Sequence, residues 1–177
     1  HGNNIRVENA KIECAYNGGH CIELVACSNV VVKECDLQMF SGTPGEDEPM
    51  QLDHASTKSA PTITNLNANA ANGHACKNIQ IMNSTMKGGR GLCAGHAAND
   101  SACANIYHEN VFVENNTITG VANEGCALFN VYNAVISGNT IKATGGSVTD
   151  VNSCALHVQI PQNSKAPSDY TKTSVLI

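Results

Sequence analysis

Five segments of this chain open on an Asn, alternate apolar and other residues, pass a small or polar corner and close on an apolar residue. They are NIRVENAKI from Asn4, NVVVKECDL from Asn29, NIQIMNSTM from Asn78, NVFVENNTI from Asn110 and NAVISGNTI from Asn133. Successive starts lie 25, 49, 32 and 23 residues apart. A second set of short alternating runs falls between them: HCIELVA from His20, PMQLDHA from Pro49, LCAGHAA from Leu92, CALFNVY from Cys126 and CALHVQI from Cys154. Period-two alternation over four or five residues marks a strand with one face buried, and helical spacing is nowhere sustained. No single unit can bury its apolar side alone, so the units must stack and share a core. The shorter intervals suit one turn of a parallel β-coil, in which equivalent positions stand about 4.8 Å apart. The expected fold is therefore all-β, a right-handed parallel β-helix of about six coils. It forms one domain over residues 1–177, with insertions at 38–49, 55–77 and 97–107.

Composition fits a narrow coil interior, with no Trp, three Phe and four Tyr. Asn83, Asn115, Asn116 and Asn139 fall at corners, where Asn tolerates left-handed backbone angles and can form amide ladders between coils. Net charge is −5 and the ten Lys and Arg residues are scattered, which argues against a nucleic-acid partner. No stretch is long and apolar enough for membrane insertion. Because solenoids need polar caps, the abrupt HGNN start and the apolar TSVLI end imply a piece of a longer chain or end-to-end association with another copy. The nine cysteines include no Cys-x-x-Cys pair and no zinc-site spacing, so neither a metal nor a cofactor is expected. They are either small interior fillers or partly bridged in an oxidising compartment. Cys27 and Cys76 should stack in neighbouring coils, but parallel Cβ vectors disfavour a bond between them. Cys93 and Cys103, flanking a polar loop, are the preferred pair.

Candidate chemistry follows from what faces outward. Counting back from each repeat Asn aligns Ile22 with Cys126 and Leu24 with Leu128. Alternation adds Met50 and Cys93 to the first inward row, and Leu52 and Gly95 to the second. Glu23, Gln51, Ala94 and Ala127 then form one outward row, and Val25, Asp53, His96 and Phe129 the other. The insertions border this face, as is common for solenoid binding sites. Asp53 and His96 are the candidate catalytic pair, a carboxylate beside an imidazole suited to proton transfer. Glu23, Gln51, His54, Arg90 and His108 are candidate substrate-binding residues. Glu23 and Asp53, about 8 Å apart by strand spacings, also suit two carboxylates flanking a water, as in inverting glycoside hydrolysis. Plainer roles stand beside these: a solvated Glu23, a loop-start His54, a turn-bracing Arg90, and His20 and His108 as corner histidines bonded to backbone; GEDE at 45–48 could bind a cation, though a short acidic loop is usually just solvated.

The runs GGHCIELVACSNVVVKECDLQ, EPMQLDHAS, KNIQIMNSTMKGGRGLCAGHAAND and YHENVFVENNTITGV resemble right-handed β-helix proteins of the pectate-lyase-like superfamily, particularly secreted or surface-attached bacterial ones. The resemblance covers residues 4 to 160. It implies a carbohydrate-active domain that binds an extended polysaccharide in a surface groove and cleaves it as a hydrolase or lyase. The alternatives are a glycan-binding or adhesive segment of a surface protein or phage tailspike, and a purely structural fragment. In the related sequences an outward Asp after a Gln and a His in a Gly-rich strand recur, and these fall on Asp53 and His96. The carboxylate trio of polygalacturonase-like hydrolases, the acidic calcium cluster of pectate lyases and the Asp-Pro-His-Glu motif of alginate epimerases are absent. No complete catalytic set therefore carries over.

Overall fold

The computed structural model describes residues 2–45, 47–55, 74–95, 106–145, 154–159 and 175–177. All the strand ladders are parallel, they form three sheets, and the described residues contain no helix. The first sheet takes β1 (Asn3–Glu8), β4 (Ser28–Lys33), β7 (Lys77–Met82), β10 (His108–Glu114), β13 (Val131–Ser137) and β16 (Val175–Leu176). The second takes β2 (Lys11–Cys14), β5 (Asp36–Met39), β8 (Thr85–Gly88), β11 (Thr117–Gly120) and β14 (Thr140–Ala143). The third takes β3 (Ile22–Val25), β6 (Met50–Asp53), β9 (Leu92–Ala94), β12 (Cys126–Phe129) and β15 (Leu156–Gln159). Chain order thus visits the sheets in rotation, one strand each per turn. This is the parallel β-solenoid that the repeat demands.

Each strand sends alternate side chains inward, and the pairing stacks them. On the first sheet Val30, Ile79, Val111 and Ala134 share one register, while Val32, Ile81, Val113 and Ile136 share the next inward one. Leu37, Met86 and Ile118 do the same on the second sheet, and Leu24, Leu52, Ala94 and Leu128 on the third. All are buried and belong to a single core that runs along the axis. The column of aliphatic contacts supplies the apolar burial that no single turn has.

Corners are built from asparagine. Asn4, Asn29, Asn78, Asn110 and Asn133 all have φ between 53° and 58°, a left-handed conformation that Asn adopts at low cost. The side-chain amides of the last four form a ladder: Asn133 donates to Asn110, Asn110 to Asn78 and Asn78 to Asn29, at 2.7 to 2.8 Å. Asn29 donates in turn to Asn3. At the next corner Asn83 and Asn115 are also left-handed, and a buried column follows them. The Cys35 N–H donates to Ser84 Oγ, the Ser84 N–H to Asn116 Oδ1 and the Asn116 N–H to Asn139 Oδ1. Backbone donors that the turn takes out of the sheet ladder are thereby satisfied.

One register differs from the sequence expectation. β9 pairs Leu92 with Met50, Cys93 with Gln51 and Ala94 with Leu52. Leu92 and Ala94 therefore point inward and Cys93 outward. The run Leu-Cys-Ala is small and apolar throughout, so alternation gives it no parity. By the same register Gly95 stands opposite Asp53 and Phe129, the place assigned to His96. Only glycine fits there: φ is +83°, and a Cβ would lie 2.1 Å from the Phe129 carbonyl oxygen. Of the expected insertions, the first starts later than 38, because Gln38 and Met39 belong to β5. Residues 56–73 and 97–105, within the other two, lie outside the described residues.

Candidate functional site

The third sheet carries the expected site, and its outward rows are Glu23, Gln51, Cys93, Ala127 and His157, then Val25, Asp53, Gly95 and Phe129. Glu23 is exposed, but Gln51 and Asp53 are 3% and 5% exposed. Cys93, Ala127 and Phe129 form a second buried cluster on this outer side. Asp53 is thus outward by parity yet below the surface, while Glu23 faces solvent. The two carboxylates keep the expected offset of one turn and two residues but not a common solvent-lined cleft. His96 lies outside the described residues, as does Cys103; Cys93 carries a free thiol, so the preferred disulfide is not formed.

Arg90 occupies a different position from that of a surface anion clamp. It is 3% exposed, with Nη1 2.7 Å from Glu48 Oε1 and Nε 2.8 Å from Glu124 Oε2. Glu124 in turn lies 2.9 Å from His157 Nδ1, and Glu48 lies 3.5 Å from His20 Nδ1. His20 also bonds the Glu48 carbonyl at 2.9 Å, the corner role expected of it. His20, Glu48, Arg90 and Glu124 each sit two residues before the first residue of β3, β6, β9 and β12. They are one column of the solenoid in which the Arg90 cation stands between the Glu48 and Glu124 carboxylates, with His20 at one end and His157 at the other.

The column's electrostatics follow from burial and contact. Burial alone would raise the Glu124 carboxyl, but the hydrogen bonds from His157 and Arg90 and the Arg90 charge outweigh it and hold the group below its ordinary range. Burial works against the Arg90 charge, yet the carboxylates of Glu124 and Glu48, both in direct contact with it, keep it more firmly protonated than usual. The Cys93 thiol is pushed well up by burial, with Glu48 reinforcing. Cys93 is therefore a neutral, unreactive packing group despite its contact with the guanidinium.

His54 and His108, expected to contact substrate, are fully buried, with ring centroids 4.3 Å apart. His108 begins β10 in line with Cys76, whose N–H donates to its Nδ1 at 3.1 Å. His54 Nε2 donates to the Ile106 carbonyl at 2.8 Å. Both imidazoles are held below the ordinary histidine range, by burial first; His108 is lowered further by facing His54.

Glu124 and His157 were not among the sequence candidates, and Glu48, expected in a solvated acidic loop, is instead 3% exposed and paired with Arg90. The readable signal is the place of the two carboxylates relative to the third-sheet strands, since position minus two is charged in three successive turns, at Glu48, Arg90 and Glu124. Among the described residues no three His, Cys, Asp or Glu side chains converge as a metal site. A depression of about 440 Å³ lies elsewhere, between the first and second sheets, bordered by Lys11, Glu34, Asp36, Asn83 and Thr85. No family model, curated protein or solved structure matches the chain.

Proposed function

We propose that this chain is a β-helix segment of a secreted or cell-surface protein, right-handed and pectate-lyase-like, that binds an extended polysaccharide without cleaving it. The observation that carries the choice of binding over catalysis is the burial of Asp53, Gln51, Arg90, His54 and His108, none above 5% exposed. An acid or base for glycoside cleavage must reach the scissile oxygen, and these groups are covered from solvent. Binding is served instead by the outer side of the second sheet. There Thr85, Thr117 and Thr140 form one exposed register, and Lys87, Thr119 and Lys142 the next. Identical hydroxyls repeating at about 4.8 Å offer a regular line of hydrogen-bonding groups to a polymer that is itself periodic.

The same reading includes end-to-end stacking of copies. Incubation with a glycan panel tests the functional reading. Retention of one or more glycans in intact form, unaffected by Asp53→Asn, is the expected result. New reducing ends or the ultraviolet absorbance of an unsaturated uronate, lost in Asp53→Asn, would establish cleavage and overturn it.

A further inference from the structure

We propose that the His54–His108 pair is an acid-operated latch at the corner between the third and first sheets, closed when both rings are neutral and opened by protonation. Its basis is where the two protons already sit. His54 Nε2 faces the Ile106 carbonyl at 2.8 Å and so carries hydrogen. The Cys76 backbone amide can only donate, so His108 Nδ1, 3.1 Å away, keeps its lone pair and the ring proton resides on Nε2. A further proton on His108 can enter only at Nδ1, where it would set two N–H groups head to head. Protonating His108 thus requires the bond to Cys76 to break.

That bond lies at a structural junction. Cys76 immediately precedes β7, His108 opens β10, and the Glu109 N–H donates to the Cys76 carbonyl at 3.0 Å. His54 follows β6, and its neighbour Ala55 forms an antiparallel bridge with His74, the Ala55 N–H donating at 2.9 Å. His108 therefore pins the start of β7, and His54 stands next to the bridge that leads into it.

The surroundings decide how it titrates. From β6 the Asp53 carboxylate favours charge on His54, as does the Ile106 carbonyl, but burial prevails over both. His108 faces His54 itself, and two such rings in contact resist sharing two charges. From the β7 side the Cys76 thiol, pushed up to about 12 by burial, is neutral and offers no counter-charge. Among the described residues, the buried Tyr107 next to His108 in the chain and Asn130, whose carbonyl accepts from the His108 N–H, are uncharged, and His74 lies across the bridge. Both histidine values are lowered in the closed state, so the open state binds more protons. Closure is fully favoured above the ordinary value of 6.5 and is lost as pH falls from there toward the closed-state values.

Amide hydrogen exchange on the full chain between pH 7 and 5, corrected for intrinsic rates, tests this. The opening constant at Cys76 and Ala55 should grow as pH falls, by up to about tenfold per pH unit for each histidine that takes up a proton. The Ile81 amide in the core should not follow. His108→Asn keeps an acceptor near the Nδ1 position without a titrating group, and should reduce the slope at Cys76 by up to about one decade per pH unit. An unchanged slope in that variant, a flat profile in the native chain, or a rise shared equally by Ile81 would overturn the latch. Imidazole ¹⁵N shifts of the native protein give a readout independent of any variant. Rings that are neutral in the closed population while the Cys76 opening constant rises toward pH 5 support the mechanism, and a charged His108 with Cys76 still protected refutes it.

Discussion

One guanidinium at Arg90 compensates two carboxylates that are 3% and 0% exposed, Glu48 and Glu124. Arg90→Met fills similar volume but leaves two buried anions in one column, and breaking such an arrangement costs about 3–5 kcal/mol. The triple variant Arg90→Met, Glu48→Gln, Glu124→Gln should recover most of that loss, because the charges leave together. Urea unfolding at pH 7 reads both outcomes. Equal destabilisation by the single and triple variants would mean that packing, and not charge, holds the corner. Glu124 adds a pH signature: its carboxyl is held below the ordinary 4.5, so its stabilisation is complete above that value and declines as pH falls through the folded one. The acid limb of a stability profile should therefore flatten in Glu124→Gln. A single backbone position is equally constrained at Gly95, where both the left-handed angle and the approach to Phe129 exclude a Cβ. Gly95→Ala should cost at least about 1–3 kcal/mol in the same assay.

Among elements, the corner asparagines separate two contributions that are usually merged. Asn110 holds φ at +56°, donates to Asn78 and accepts from Asn133. Asn110→Gly removes the ladder bonds but keeps the conformation accessible, whereas Asn110→Ala loses both. The alanine variant should be the less stable by about 1–2 kcal/mol, the cost of a left-handed residue bearing a Cβ. Equal stabilities would show that the corner relaxes out of that conformation. These asparagines were legible in the sequence because they open every repeat and their chemistry is local. β9 was not, because Leu92, Cys93 and Ala94 fit either face and only the wider register decides. The charged column was hidden for a related reason. Its members are 28, 42 and 34 residues apart in the chain, and they align only once the third-sheet strands are in register. Asp53 was placed on the correct side of its strand, yet parity says nothing about whether that side is wet.

Over the whole molecule, a solenoid's stability is the sum of its turns and the interfaces between neighbours, so opening should grade from the ends inward. Cysteines report on this because they are spread along the axis and the eight described ones are free thiols. Cys14 and Cys21, in the first turn, and Cys154, just before β15, are half-buried. Cys27, Cys35, Cys76, Cys93 and Cys126 are buried. Burial also pushes the Cys76 and Cys126 thiols up to about 12, so at neutral pH they are unreactive until the surrounding turn opens. Pulsed thiol labelling of the reduced native chain, with mass mapping of the modified peptides, should modify Cys14, Cys21 and Cys154 first. Cys76, Cys93 and Cys126 should follow only at the rate of sub-global opening. End-to-end stacking would protect the terminal three as protein concentration rises, leaving the interior sites unchanged. Labelling of all eight at a common rate would instead mean that the chain opens as one unit, which independent turn-to-turn interfaces do not allow.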